Sequence, residues 1–520
     1  MKKFLGVILI GLFALMGFAQ TTSITIVAST DSHGYITSYD YVNDKDLDYG
    51  LPYAAYLLKN IRKEHKNVIL VDCGDTLSGT ALTYFHAYYK SDKPNPVIKV
   101  MNELKYDIAV LGNHDFDFGQ QYLVDAINQA KFPWISANLY QNNFPFTYIY
   151  KIIEKGGVKV GFFGLTTPAT KYFEPPKNVK DIIFKQMAES AKKAVQSLKK
   201  EGADVIVALV HSGKGPMYAI KEPYENALYY VLENVKGIDI AIYGHTHKEN
   251  PIEIYNNVLI CQPKNYFQSL GVIMIDLQKR DGHWEILNKA STTLHVNGKM
   301  VKSIDKEVKY ITSDLKDFLN QKIGVYKDPI EFSEDYNNPG TGFDLLYKVE
   351  KSAFGDADVY MLTLPYKGVV KEKGEALRIR HAFKLLPYDN YLVKCNIKGA
   401  NLLKMLEKGA DLFDATGKLK PDAKPYFCDI ARNIDYSVDF TKPEGSRVVI
   451  KKVNGRDFDV NAVYSVVLTT YRYAENLDFI EKGGEQYSNE SFRTLAIKYL
   501  KSQFGKKESD SKEEKGFFNW

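Results

Sequence analysis

The side chains able to do chemistry in this chain fall at the ends of short apolar runs. Asp31 and His33 stand in TDSHG, Asp75 in DCGDT, Asn113 and His114 in LGNHDFDFG, His211 in LVHSG, and His245 and His247 in YGHTH. An Asp or His after a strand is ordinarily a turn or capping residue, so no single segment is diagnostic; the five together are. The chain has ten histidines, and five of them sit in these segments. His65, His86, His283, His295 and His381 lie outside any such arrangement and read as surface or packing residues.

Carboxylate, amide and imidazole donors together suit borderline divalent cations such as manganese, zinc, iron or cobalt better than soft, thiolate-seeking ones. A single carboxylate can bridge two ions with its two oxygens. Two ions roughly 3.5 to 4 Å apart clamp the attacking and leaving oxygens of an in-line displacement. The mixture of residue types follows from that need: carboxylates neutralise charge, neutral imidazoles complete the shells, and an open position remains for water. The expected cofactor is therefore a pair of divalent ions. Cys73, Cys261, Cys395 and Cys428 are scattered singly, without the paired spacing of structural zinc. Cys73, between Asp72 and Gly74, reads as a packed strand-end thiol. Cys395 with Cys428 is the one pairing to test for a disulfide.

These donors need elements to hold them. The runs at 24–29, 68–71, 108–111, 205–210 and 238–243 are short and β-rich, and from residue 23 to about 300 such runs alternate with helical stretches. That alternation predicts a layered α/β domain, in which ligands collect at the carboxyl ends of strands. Over 302–326, Ile304, Val308, Ile311, Leu315, Phe318 and Leu319 recur at three- and four-residue steps, which predicts an amphipathic connecting helix. Beyond Asp335, Gly and Pro punctuation opens a second, α+β domain ending near Gly505. The expected organisation is a targeting segment at 1–19, a catalytic domain at 20–300, the connecting helix within 301–334, a second domain at 335–505, and a charged, disordered tail at 506–520.

Lys2 and Lys3 precede an apolar run to Met16 and a small-residue site at Gly17 and Ala19, the pattern of a cleaved export signal. The run is shorter than the ~20 apolar residues a membrane span needs. A periplasmic or secreted protein with no stable membrane insertion after cleavage is expected. Hydrophobic residues at 45% and charged residues at 25% indicate a globular chain. A formal net charge of +5 over 520 residues is slight and argues against a nucleic-acid groove. A small molecule is the expected partner.

The order DxH, GD, GNHD, HSG and GHTH resembles the calcineurin-type metallophosphoesterases, and within them the secreted 5′-nucleotidases, from about Ile24 through the second domain. The resemblance implies a layered β-sandwich with flanking helices, joined to an α+β substrate-binding domain. It further implies that Asp31, His33 and His247 hold a first metal, that Asp75 bridges, and that Asn113, His211 and His245 hold a second. His114 would be the transition-state group, oriented by Asp117, because a neighbouring carboxylate favours imidazolium and a cation there stabilises developing phosphoryl charge. Asp115, beside this dyad, reads as a structural partner. The family's domain rotation would make the connecting helix a hinge element.

Substrate choice would lie in the second domain, where family members sandwich the base between two aromatic rings. The matching segments are LLPYDNYLV, with Tyr388 and Asn390, and VVLTTYRYAENLDF, with Tyr471. Stacking on a tyrosine face is worth about 1 to 3 kcal/mol per base. The chain departs from the commonest 5′-nucleotidase pattern twice. LTLPYKG, with Pro365, Tyr366 and Lys367, stands near the place of Asn-Gly-Gly-x-x-Arg, and Glu475 to Phe479 replaces Gly-Gly-Asp-Gly-Phe. PYKG, LPYDNYLVKCNIKG, the run from Tyr224 to His247 and IDYSVDFTKPEGSRV instead resemble the branch acting as 2′,3′-cyclic-nucleotide 2′-phosphodiesterase and 3′-nucleotidase. A 5′-nucleotidase or nucleotide-sugar hydrolase is the alternative with the same metal chemistry. An inactive surface binding protein is the alternative of another class, and the complete ligand set speaks against it.

Overall fold

The run VIVALV at 205–210 shows why the first domain is layered. Val205, Val207 and Leu209 pack into one apolar cluster and Ile206, Ala208 and Val210 into another, and all six are buried. A strand apolar on both faces must lie inside a parallel sheet covered on both sides. The computed structural model describes residues 20–215, 225–363 and 366–505. Residues 1–19, expected as an export signal, Tyr224, Pro365 and residues 506–520, expected as a tail, lie outside the described residues.

Two six-stranded sheets form the sandwich. The first runs His283–His295, Ser269–Arg280, Thr21–Ser29, Val68–Asp72, Ile108–Val110, Trp134–Ile135. The second runs Asn250–Tyr255, Val258–Gln262, Ile240–Tyr243, Val205–His211, Val158–Thr166, Tyr150–Lys155. Ile24, Ile26, Val71 and Val110 of the first sheet meet Phe162, Val207, Leu209 and Ile242 of the second in the layer between them. The helix Met187–Lys200 covers the outer face of the second sheet. Pairing is parallel where it matters: Ser29 lies opposite Asp72, Asp72 opposite Ala109, and Val210 opposite Tyr243. The five runs read from the sequence are all strands, and their parallel register brings their carboxyl ends to one edge of the sandwich.

The second domain is built on a five-stranded sheet in the order Asp429–Arg432, Val359–Thr363, Val463–Thr469, Tyr391–Lys398, Ile480–Ser491. The helices Gly399–Ala410 and Phe492–Phe504 complete it. Cys395 and Cys428, the pair considered for a disulfide, are free buried thiols packed in different apolar clusters. No helix among the described residues is long and apolar enough to cross a membrane.

The single helix expected over 302–326 is corrected. The segment forms two helices, Ser303–Glu307 and Lys309–Asn320, broken where Val308 leaves helical geometry at φ −106° and ψ 7°. It then extends into Lys322–Gly324, which pairs with Leu377–Arg378 of the second domain. The apolar stripe itself is as read: Ile304, Val308, Ile311, Leu315, Phe318 and Leu319 are all buried. Phe318 lies 5.1 Å from Phe85 and 4.7 Å from Tyr89 of the first domain, and 6.4 Å from Phe383 of the second. One ring therefore joins the two domains' apolar surfaces. Phe318→Ala should destabilise the chain by ~3–5 kcal/mol, as truncation of a buried aromatic does, measured as a shift in the denaturant midpoint; a midpoint unchanged from wild type would show the junction to be energetically idle.

Candidate metal centre

The loops at the sandwich edge turn sharply, and the sequence shows how. Gly112 and Gly244 precede the ligand candidates Asn113 and His245. A Cβ on Gly112 would collide with the Asp75 carboxylate and backbone, and one on Gly244 with the Thr30 hydroxyl and Asp31. Five candidates themselves occupy the left-handed region: Asp31 at φ 49°, His33 at 46°, Asp75 at 56°, His245 at 79° and His247 at 55°. Non-glycine residues there cost ~1–3 kcal/mol each and persist only where the surroundings impose them. Asp115 supplies one such constraint. Its buried carboxylate accepts hydrogen bonds from the backbone N–H of Gly112 at 2.7 Å, Thr76 and Leu77 at 2.8 Å, and Asp75 at 3.1 Å. Burial, with the Asp75 charge beside it, pushes the Asp115 carboxyl up to about 7, so only these donors recommend the ionised form. The structural role read for Asp115 is what the geometry shows.

All seven expected ligands converge, in two groups. Asp31, His33 and His247 form one, and Asp75, His211 and His245 the other. Asn113 joins the second through Oδ1, 2.8 Å from His245 Nδ1. Asp75 stands between them, with Oδ2 3.0 Å from His211 Nε2 and 3.7 Å from His33 Nε2. Asp31 Oδ1 lies 3.6 Å from His247 Nε2 and 4.0 Å from His211 Nε2.

The donor atoms face one another in a way that hydrogen bonding alone does not satisfy. His33 Nδ1 donates to the Ser78 carbonyl at 2.9 Å, and His211 Nδ1 to the Cys73 carbonyl at 2.7 Å. A carbonyl only accepts, so Nδ1 of each ring carries a proton and Nε2 of each points into the site, where it can take a cation or, beside Asp75 in His211, a further proton. His33 Nε2 then meets His247 Nε2 at 3.0 Å, and the buried His211 Nε2 finds no hydrogen-bond partner although Asp75 is beside it. His245 has acceptors at both nitrogens: Asn113 Oδ1, and Glu225 Oε1 at 2.8 Å. Ligands bonded to one ion at 2.0 to 2.2 Å stand roughly 3 to 3.5 Å apart, and the separations here, 2.8 to 4.0 Å, bracket that range. The residues fit a pair of cations.

The charges agree. Burial lowers His33 and His247 to about 4, so both are neutral, ligand-competent imidazoles at pH 7. Burial works against ionisation of Asp75 too, yet His211, His114 and His33 hold its carboxyl well below the usual range. Burial likewise opposes protonation of His211, but Asp75 outweighs it and raises the ring to about 9.

His114 and Asp117 form the expected dyad, with Nδ1 3.1 Å from Oδ1. The His114 backbone N–H donates to Asp75 Oδ1 at 2.7 Å, tying the dyad to the centre. Burial disfavours imidazolium here, but Asp117 and Asp75 raise His114 well above its ordinary range. The expected substrate residues are less gathered. Tyr471 lies near parallel to Phe173 of the catalytic domain, centroids 6.1 Å apart at 16°, and 6.5 Å from Phe427. Tyr388 is 55% exposed, and the Asn390 carbonyl accepts the Phe492 N–H at 2.7 Å. Sequence reasoning missed Glu225, which holds the His245 tautomer. It also missed Glu174, grouped with His114 and Asp117, and Phe173, whose ring is 6.1 Å from His245. Tyr266 was missed as well, edge-on to His33 and His247 at 5.7 and 5.5 Å. Glu225 lies within the run from Tyr224 to His247 but at no ligand spacing, the other three belong to no motif, and only folding brings the four near the site.

Residues 24–249 match the family model for calcineurin-like phosphoesterase, and residues 345–481 that for the 5′-nucleotidase C-terminal domain. A Haemophilus influenzae protein named 2′,3′-cyclic-nucleotide 2′-phosphodiesterase/3′-nucleotidase is 28% identical over 540 residues, spanning 88% of this chain and 81% of that protein. A trifunctional nucleotide phosphoesterase of Bacillus subtilis is 26% identical over 87% of this chain, which spans only 36% of that longer protein. Among solved structures, a Staphylococcus aureus chain provisionally named a 5′-nucleotidase, solved with α-ketoglutarate, superposes with a TM-score of 0.78 at 23% identity, covering 93% of this chain and 98% of its own.

After chelation the protein should bind about two divalent ions per chain, the number that one bridging carboxylate supports, and Asp75→Asn should lower that stoichiometry. Because a cation must displace the proton on His211, uptake should release protons and tighten as pH rises towards about 9. Calorimetry in buffers of different ionisation enthalpy measures both, and proton-independent uptake would contradict the arrangement.

Proposed function

Because this chain belongs to the calcineurin-like metallophosphoesterases that carry a 5′-nucleotidase C-terminal domain, and is a metal-dependent phosphoric ester hydrolase, we propose that it acts on nucleotides as a 2′,3′-cyclic-nucleotide 2′-phosphodiesterase and 3′-nucleotidase. The observation that carries the chemistry is the convergence of Asp31, His33, Asp75, Asn113, His211, His245 and His247 on two adjoining groups with the His114–Asp117 dyad beside them. The substrate assignment draws on the segments around Tyr366, Tyr388 and Asp435, and on the name carried by the Haemophilus relative over 81% of its length. We read the export pattern before Gln20 as placing the protein in the periplasm or outside the cell.

In this reading Asp31, His33 and His247 hold one cation and Asn113, His211 and His245 the other, with Asp75 between them. When bound, the two ions neutralise phosphoryl charge and lower the pKa of the attacking water. The protein's own residues do the rest. Ser78, Cys73 and Glu225 hold the three imidazoles in ligand tautomers. His114, kept protonated beside Asp117 and Asp75, presents a cationic N–H to the phosphoryl oxygens or the leaving alkoxide, where a donor stabilises charge that develops only in the transition state. Tyr388, Asn390 and Tyr471 supply the nucleoside side, with Tyr471 offering the stacking face.

A substrate panel tests this reading. The manganese-loaded protein should turn over 2′,3′-cyclic AMP and 3′-AMP faster than 5′-AMP, and the opposite ranking would sink the substrate assignment. His114→Asn should lower kcat by roughly 100- to 1,000-fold, the usual loss for one transition-state donor, with metal content unchanged. Full activity in that variant would remove His114 from the mechanism.

A further inference from the structure

Glu174 follows the short helix Thr170–Phe173, its backbone N–H closing that turn on Thr170 O at 3.0 Å. Pro175 and Pro176 come next and cannot extend the helix. The side chain is buried at 4% exposure, and its carboxyl falls within 4.8 Å of ligand atoms of His114 and Asp117. Asn178 fixes its direction, since Nδ2 donates to Glu174 Oε2 and to the Asp117 carbonyl, both at 2.9 Å. Two carboxyl groups thus share a buried site with one imidazole.

No second cationic side chain among the described residues reaches this site. Among the described residues the ion pairs of this site are confined to His114 with Asp117. Lys177 points away, donating to the Asn489 carbonyl and covering the Tyr391 ring at 4.8 Å. Arg493 is engaged by Asp389 at 3.2 Å. The other titratable neighbours, Tyr391 and Asp389 of the second domain, carry no positive charge to offer. Two buried carboxylates this close cannot both stay ionised beside a single imidazolium, so one proton remains. Its place follows from the donors. Asp117 Oδ2 accepts the Ser78 hydroxyl at 2.5 Å and the His114 ring at 3.2 Å, both of which favour its carboxylate. Glu174 accepts one amide N–H, and burial with Asp117 alongside holds its carboxyl well above the usual range.

We propose that Glu174 is a positioning residue for the phosphoester hydrolysis assigned above: as a neutral acid it donates a hydrogen bond to Asp117, fixing that carboxylate in the orientation in which it aligns His114. The arrangement is a chain in which each member donates to Asp117. Ser78 and His114 reach Asp117 through the hydrogen bonds given above, and Glu174 supplies the third donor. Glu174 touches neither substrate nor metal in this role, and the proposal depends on the hydrolase reading only for its kinetic arm.

The test uses the full-length, manganese-loaded enzyme with Glu174→Ala and Glu174→Gln. For 3′-AMP, Glu174→Ala should lose about 10- to 100-fold in kcat, the worth of one hydrogen bond to a charged group, with KM and metal content unchanged. Glu174→Gln, whose amide N–H takes the place of the acid O–H, should recover most of that loss. Infrared spectra at neutral pH should show the carbonyl stretch of a protonated carboxylic acid in the wild type that disappears in Glu174→Gln, a readout that needs no turnover. The proposal is overturned if that band is missing, if Glu174→Gln is as slow as Glu174→Ala with unaltered thermal stability, or if a third equivalent of manganese binds in the wild type and is lost in Glu174→Gln. A wild type that hydrolyses none of the nucleotides would defeat the functional reading, while the infrared band would still decide the carboxyl pair.

Discussion

Lone pairs aimed at lone pairs are the constraint on which the rest of this protein depends. His33 and His247 bring Nε2 atoms to 3.0 Å, and His211 turns a buried Nε2 towards the Asp75 carboxylate with its Nδ1 engaged elsewhere, so that a proton or a cation must lie between them. Such an arrangement is repulsive unless positive charge enters it, and proteins bury acceptors without donors only at a cost of about 1–3 kcal/mol per group. The strained backbone at Asp31, His33, Asp75, His245 and His247 adds to that cost. A chain that concentrates strain and unsatisfied acceptors at one edge has placed its stability elsewhere, in the layer of Ile, Val, Leu and Phe between the two sheets.

The sandwich makes that concentration possible because register is shared. Thr21–Ser29, Val68–Asp72 and Ile108–Val110 are hydrogen-bonded neighbours in one sheet, and Val205–His211 and Ile240–Tyr243 in the other. Their ends can shift little without breaking ladders on both sides. Asp115 then carries rigidity from the sheets into the loops, accepting four backbone N–H groups from two different strand ends. A buried side chain that is not among the ligands thereby sets where Asp75 and Asn113 stand.

Much of this was legible in the sequence for a physical reason. Metal ligands must follow strands, must be of few types, and need glycine where backbone passes close, so Asp31 through His247 announce themselves by spacing. The two strand-like faces of VIVALV are equally plain. The break at Val308 was not, because the apolar stripe from Ile304 to Leu319 keeps helical spacing across it, and only packing between two domains decides where the axis turns. Glu174, Glu225, Phe173 and Tyr266 escaped because each acts through a partner far along the chain. The Glu225 side chain means nothing until His245, twenty positions later, brings Nε2 to 2.8 Å. Sequence spacing records what binds directly, and what holds the binder only where, like Asp115 and Asp117, it lies in the same motif.

The same distinction bears on how the two domains divide their work. Glu225 holds His245 from one side, and its other near neighbour is Glu475 of the second domain, whose carboxyl is pushed up to about 7 by burial and by the Glu225 charge. Glu475 ends the helix Thr470–Glu475, which also carries Tyr471 against Phe173. It opens the segment where this chain departs from the commonest 5′-nucleotidase pattern. A change in that segment alters the surface that carries Tyr471 and, through Glu225, the surroundings of His245. The Tyr471 surface and the His245 side of the metal centre share one set of contacts at the domain boundary, so this segment can be remodelled only to the extent that Glu225 keeps its hold on His245.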